Sequence, residues 1–323
     1  MTEIKFDFSN DIKEINAYLT NLRNQAPYDN EVNDLIYSIL QKGGKRIRPL
    51  ICLLSYEMIS SKPREEHHFT AACSIEILHN ASLLIDDLFD KDIYRRKEKS
   101  FYLKYSTFAA LSVSYTMSSL ALSLATQTQT MQIVEELVNA MKNLSSSLFL
   151  EQKLRIEGRI ITKKEALQLI DMKTSSLFEA ASVIGAILGA TSKKDQESMN
   201  KFGKMFGRAF QLRDDLMSFT STTEEQGKSG VETDISNKIQ TYVVLEAMEN
   251  VNEEDKVILE DYYVNKGKCH VTQIKEIITK SPALRIVQKK MEKCIQEAIM
   301  ILQEFPGSTS RDKLIEITNL LQV

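Results

Sequence analysis

Apolar residues recur along most of this chain at helical spacing, and few stretches alternate apolar and polar residues as half-buried strands do. From Ile75 to Asp90 the apolar set is Ile75, Ile77, Leu78, Ala81, Leu83, Leu84, Ile85, Leu88 and Phe89, whereas His79, Ser82, Asp86 and Asp90 fall at i, i+3, i+7 and i+11. That spacing draws one polar stripe along an otherwise buried helix. A second stripe, Gln211, Asp214, Asp215 and Ser218, runs beside Phe206, Phe210, Leu212, Leu216 and Met217. Helix starts are predicted at Thr162, with Glu165 three residues on, and at Ser192 with Asp195, while Pro306-Gly307 separates the last two helices. With 11 Gly, 5 Pro and no long Gly/Ser-rich linker, the pattern predicts an all-α chain forming one domain over residues 1–323.

Adjacent acids on a helix ordinarily face solvent or pair with Lys or Arg. Here Asp86-Asp87 and Asp214-Asp215 both lie in apolar helical surroundings, where an uncompensated charge is very costly, so each pair calls for a cation. Carboxylates from two facing helices suit oxygen-preferring Mg²⁺, which keeps several waters and bridges to phosphates. Basic residues complete the set: Gly43-Gly44-Lys45-Arg46-Ile47-Arg48-Pro49, Arg95-Arg96, Lys173-Thr174, Gly227-Lys228 and Lys238. Each cluster alone reads as a solvated face; together they offer the donors that diphosphates need. Facing acidic helices with two basic groups can draw a diphosphate off an allylic carbon, and an apolar cavity would shield the resulting carbocation from water.

Composition narrows the classes. A net charge of −3 with dispersed basic clusters and no accompanying aromatic stacking motif gives no support for nucleic-acid binding. Met1 to Asn10 lacks an apolar signal core, so the expected location is cytoplasmic, and no segment is expected to span a membrane. Cys52, Cys73, Cys269 and Cys294 have no metal-ligand spacing and read as reduced packing residues. His67 and His68 follow Pro63-Arg64-Glu65-Glu66 as a solvated loop would, and His270 neighbours Lys268. A lone helical histidine is more often structural, but the place of His79 in the polar stripe favours a substrate contact.

In order and spacing, Gly43-Gly44-Lys45-Arg46-x-Arg48-Pro49, His79-x-x-Ser82-Leu83-x-x-Asp86-Asp87-x-x-Asp90, Arg95-Arg96, Lys173-Thr174, Phe210-Gln211-x-x-Asp214-Asp215 and Gly227-Lys228 resemble the trans-isoprenyl diphosphate synthase (polyprenyl synthetase) family. The last helix pair, Leu302 to Leu321, is similar too, and the resemblance covers about residues 30 to 320. It implies the isoprenoid synthase type I fold, an antiparallel helical bundle around a deep central cavity. The implied reaction is head-to-tail condensation of isopentenyl diphosphate with a C5–C15 allylic diphosphate, using roughly two to three Mg²⁺ ions, with the released pyrophosphate as proton acceptor. Asp86, Asp87, Asp90, Asp214 and Asp215 would hold the metal; Lys173, Lys228, Lys238 and Arg95 would contact the allylic diphosphate. Lys45, Arg48, His79 and Arg96 would form the isopentenyl diphosphate site, Thr174 and Gln211 would border the reacting carbons, and Phe210 would line the hydrocarbon site. A homodimer is implied, with apolar helices near residues 105–125 as its interface.

In this family the growing chain runs down the helix from the first acidic motif until a bulky side chain stops it. Ala81 and Ser82 are small and Leu78 and Ile77 come next, a segment most similar to that of geranylgeranyl diphosphate synthases, so a C20 product is expected. C25 to C30 is the alternative if the facing helix leaves the floor open through Tyr115 or Ser112. Several positions depart from the family pattern. Ser218 replaces a frequent third Asp, Lys97 and Lys99 replace Gly and Pro and predict a looser loop after Arg96, and Glu151-Gln152 stands for Gly-Gln. Arg155 replaces a frequent Asp and Val113-Ser114 a common Gly-Asp. The competing readings are a class I terpene synthase or cyclase and a weakly active or non-catalytic partner subunit. The intact Gly43–Pro49 segment argues against the first and the retained aspartates against the second.

Overall fold

The helix starts carry the caps read from the sequence. Thr162 accepts the N–H of Glu165 while the Glu165 carboxylate accepts the Thr162 N–H, a reciprocal capping box. Ser192 Oγ accepts the N–H of Asp195 at 3.1 Å. The computed structural model describes residues 6–24, 30–96, 98–220, 231–264 and 270–322. In chain order the α-helices are α1 (Ser9–Asn21), α2 (Asn30–Gln41), α3 (Ile47–Ser60), α4 (Glu66–Phe89), α5 (Phe101–Lys104), α6 (Thr107–Gln127), α7 (Met131–Glu157) and α8 (Lys163–Ile170). They continue as α9 (Ser176–Leu188), α10 (Lys193–Thr220), α11 (Val231–Ser236), α12 (Tyr242–Asn250), α13 (Glu253–Val264), α14 (Val271–Lys280), α15 (Ala283–Gln303) and α16 (Thr309–Asn319). The all-α expectation holds; the strands among the described residues are a two-residue pair, β1 (Tyr94–Arg95) and β2 (Glu98–Lys99), antiparallel with Arg95 opposite Glu98.

α4 is buried on nearly every side, which is why its sequence is apolar almost all round rather than along one stripe. It packs lengthwise on α6 and against α3 and α9, while α10 lies between α9 and α15. The core runs through Ile51, Leu53 and Leu54 of α3, Ile75 and Ile77 of α4, Phe178 of α9 and Phe202 and Phe206 of α10. Between α8 and α9 the ladder widens into one π-helical turn, Asp171–Ser175. Such turns in α-helices frequently mark functional sites. Gly207 makes room for it: a Cβ there would lie 2.5 Å from the Ser175 Cα. Gly207→Ala is therefore expected to cost about 1–3 kcal/mol by overpacking, measured as a lower urea midpoint with an unchanged m-value.

One expectation is corrected. His67 and His68 are not in a loop but in the first turn of α4; His68 is buried, stacks on Tyr56 at 3.7 Å between centroids, and its Nδ1 accepts the Glu65 N–H at 2.7 Å. In the segment after Arg95, Arg96 takes a left-handed φ of 51°, while Lys97, on which the expected looser loop rests, lies outside the described residues. Among the described residues one helix, Thr107–Gln127, is long and apolar enough to cross a membrane by length and composition alone, which does not make it a clear membrane span. Half of its most apolar window is buried, and α4 covers that side.

Candidate active site

The two acidic motifs sit on helices that converge through the π-turn. Burial raises the Asp86 carboxyl above its usual range, with Lys173 opposing and Asp90 and Glu151 adding to the shift. Lys173, on the π-turn, reaches Asp86 Oδ1 at 3.5 Å, Asp90 Oδ2 at 3.7 Å and Glu151 Oε2 at 3.2 Å. Burial works against its ammonium, but Asp86, Glu151 and Asp90 outweigh that and raise its pKa. The π-turn is itself anchored, since Arg208 on α10 donates to both oxygens of Asp171 at 2.6 and 2.8 Å and Lys204 adds a third contact at 3.1 Å.

Asp87 differs from its neighbour. Its carboxylate takes two donors from Arg95, Nε at 2.6 Å and Nη2, while Asp92 lies 3.4 Å from Arg95 Nη2. The predicted metal set thus divides into Asp86 and Asp90 facing Lys173 and Asp87 facing Arg95.

The second motif joins the same centre through side-chain amides. Thr174 Oγ1 donates to Gln211 Oε1 at 2.7 Å, and Gln211 Nε2 donates to Asp215 Oδ1 at 2.9 Å. Burial pushes the Asp215 carboxyl up to about 7; Asp234 and Asp214 contribute, while Gln211 and the Tyr242 N–H oppose. Ser218, in place of a third acid, turns its hydroxyl back to the Asp215 carbonyl at 2.7 Å. Phe210 is half-buried with its ring 5.2 Å from that of Phe178. Asn237 donates to the Asp90 carbonyl at 3.0 Å and so ties the segment after α11 to the first motif. Its neighbour Lys238 lies over Tyr262, Nζ 4.8 Å from the ring centroid. Lys228 lies outside the described residues.

A cluster of basic side chains adjoins this centre. Gly43 and Gly44 take φ values of 76° and 143°, which side chains rarely adopt, and a Cβ on Gly44 would lie 3.2 Å from Arg96 Nη2. Arg96 Nη1 donates to the Gly43 carbonyl. Arg48 Nη1 lies 3.1 Å from His79 Nε2, and its guanidinium carbon sits 4.3 Å from the Phe178 centroid. Burial lowers Arg48 to about 10 despite Glu76 and Asp214, and its buried Nε has no hydrogen-bond partner. Lys45 is exposed at the rim, whereas Arg46 turns inward to Glu76 at 2.7 Å, the two side chains only 1% and 4% exposed. Arg46 is thus structural and not part of the basic face its position suggests.

His79 is held neutral: burial lowers its pKa well below the ordinary 6.5, and Arg48, Arg96, Arg95 and Arg46 add to that. The unfolded chain takes up a proton as pH falls through 6.5 while the folded ring resists it. The stability from this site is therefore present above 6.5 and lost below it. Tm profiles from pH 8 to pH 5 should show a steeper acid loss for the native chain than for His79→Asn; superimposable slopes would contradict a neutral buried ring.

The donor set fits a hard divalent cation. Asp86, Asp90, Asp214 and Asp215 supply only oxygen, and the raised Asp86 and Asp215 carboxyls are buried charges whose compensation by side chains is incomplete. Among the described residues no three His, Cys, Asp or Glu side chains already converge as a metal cluster. The cations of Lys173 and Arg155 lie among the carboxylates instead.

Residues 29–281 match the polyprenyl synthetase family. The chain belongs to that family. The octaprenyl diphosphate synthase of Escherichia coli K12 is 27% identical over 290 residues, spanning 90% of this chain and 88% of that protein. The geranylgeranyl diphosphate synthase of Sulfolobus acidocaldarius is 30% identical over 272 residues, 78% of this chain and 81% of that one. A solved polyprenyl synthase from Caulobacter crescentus, complexed with calcium and isoprenyl diphosphate, superposes with a TM-score of 0.87 at 24% identity, covering 97% of this chain and 94% of that chain, which speaks for the fold. Glu151, Arg155, Asn237 and the Asp171–Arg208 clamp are the members of this site that the family motifs do not name. Glu151 and Arg155 stand out in the sequence only as departures from the pattern.

Proposed function

We propose that this polyprenyl synthetase is a trans-prenyltransferase that condenses isopentenyl diphosphate with an allylic diphosphate and releases C20 geranylgeranyl diphosphate. The observation that carries the reaction is a second cluster of basic side chains. Arg48, with its unpartnered buried Nε, neutral His79 and Arg96 lie beside the acidic motifs, and a cyclase has little use for a second diphosphate pocket. Asp86, Asp90, Asp214 and Asp215 would hold Mg²⁺. When bound, the ions neutralise charge developing on the departing diphosphate. Lys173, poised on the π-turn, is placed to move from carboxylates to the leaving group's oxygens. The bond between C1 and oxygen of the allylic substrate breaks, the isopentenyl double bond attacks C1, and a proton leaves to the released pyrophosphate. Phe178 and Phe210 furnish an apolar, water-excluding flank.

The C20 assignment is supported by small Ala81 and Ser82 one turn above the motif, followed by buried Leu78 and Ile77. On the facing helix, Ser114 Oγ donates to the Ala81 carbonyl at 3.0 Å, and Val113 and Met117 are buried. Tyr115 and Ser112 point outward, Tyr115 being 72% exposed, so neither forms the floor within one chain. Incubation with Mg²⁺, isopentenyl diphosphate and each of the C5, C10 and C15 allylic diphosphates, followed by product sizing, tests primer, class and length together. C25 or longer products would displace the C20 reading, and cyclised hydrocarbons formed without isopentenyl diphosphate would displace the reaction.

We also propose a cytoplasmic homodimer through α6, a single-domain protein in each copy. The outward face of α6 carries Phe108, 79% exposed, and Tyr115, with no covering element among the described residues. Phe108→Asp with Tyr115→Asp should halve the mass measured by light scattering; a native chain that is already monomeric would end this reading.

A further inference from the structure

The two departures on α7 meet the first acidic motif directly. Glu151 and Arg155 are four residues apart and share one helix face. Arg155 Nη2 lies 2.6 Å from Glu151 Oε1 and 3.1 Å from Asp90 Oδ1, and Glu151 Oε2 holds Lys173 at 3.2 Å. Asp86 and Asp90, the carboxylates fit for a metal, thus share a five-group network with two resident cations, all of whose side chains are less than a third exposed. Within it the two α7 residues pull in opposite directions. Arg155 places a fixed positive charge on Asp90. Glu151 draws both Arg155 and Lys173 towards itself and away from Asp86 and Asp90.

Resting on the prenyltransferase reading, we propose that Glu151 and Arg155 are positioning residues that set the divalent-cation affinity of this chain. Arg155 competes with the metal for Asp90, and Glu151 moderates that competition by holding Arg155 and Lys173. The pair adds no net charge, so its effect lies in where the two cations sit rather than in the total charge of the site. Removing each member should therefore move metal affinity in opposite senses, which general loosening of the site cannot do. Arg155→Gln deletes the competitor and should tighten binding. Glu151→Gln releases both cations onto Asp86 and Asp90 and should weaken it.

The test titrates Mn²⁺ into the full chain with inorganic pyrophosphate present and reads free Mn²⁺ by electron paramagnetic resonance, which does not depend on turnover. Relative to the native chain, Arg155→Gln is expected to bind Mn²⁺ about tenfold more tightly and Glu151→Gln about tenfold more weakly, the size of one charge-assisted contact. Arg155→Lys, keeping the charge, should remain within about threefold of native, well below a contact's tenfold. Equal or same-direction shifts in Arg155→Gln and Glu151→Gln would overturn the inference while leaving the family reaction intact. A native chain that binds no Mn²⁺ with pyrophosphate, or an Asp86→Ala variant that binds it as the native does, would remove the metal site and this inference with it.

Discussion

Asp86→Ala and Asp214→Ala are each expected to lower turnover by about 10²–10³-fold or more, the loss that follows removal of one preorganised electrostatic group aimed at developing charge. The fold should survive both changes. Asp86 is a buried acid whose pKa in the folded chain is raised above 3.8, so its contribution to stability is present below that value and lost as pH rises through the folded pKa. At neutral pH its charge opposes folding, and Asp86→Ala or Asp86→Asn should leave Tm unchanged or raised. Activity falling while stability holds is the signature of a residue retained for chemistry. The measurement is kcat with saturating isopentenyl and farnesyl diphosphates, paired with thermal melts at pH 7.5. Full activity in either alanine variant, or activity indifferent to EDTA, would remove metal-assisted ionisation.

Much of this site was legible because burying charge is costly. An aspartate pair inside an apolar helix has few explanations, and two such pairs have fewer. The Thr174–Gln211–Asp215 chain of hydrogen bonds fits the same logic, since amides and hydroxyls in an apolar wall must find partners. What escaped the sequence was the direction in which side chains point. Arg46 and Arg48 are two residues apart in one basic cluster, yet Arg46, itself left-handed just before α3, turns to a buried Glu76 while Arg48 faces His79. His67 and His68 follow a charged run that reads as loop, but the Glu65 cap draws them into α4. Tyr115 shares the apolar character of α6, and only the packing on α4 decides that Ser114, one residue away, faces inward instead. Arg155 matches no chemical pattern of its own, and its role comes from the carboxylates that another helix brings to it.

Ala81→Tyr is expected to shorten the main product from C20 to C15 while the enzyme keeps condensing isopentenyl diphosphate. Ala81 and Ser82 lie five and four residues before Asp86, and one helical turn rises about 5.4 Å, comparable to one isoprene unit, so a bulky side chain there stops the chain about one unit earlier. The effect on specificity should be large because it is steric. An overpacked wall rejects an added five-carbon unit, whereas a missing contact would merely weaken binding. Ala81 is almost wholly buried against α6, where Ser114 bonds its carbonyl, so a tyrosine there also risks disturbing the α4–α6 contact. Ser82 is half-buried and offers a milder position on the next residue, and Ser82→Phe provides the control. Product sizing with a C10 primer separates the outcomes. A shift to C15 in either folded, active variant places the length-setting wall at this turn of α4, and an unchanged product distribution in both would put it elsewhere, with Ala81 only a good helix former in a crowded core.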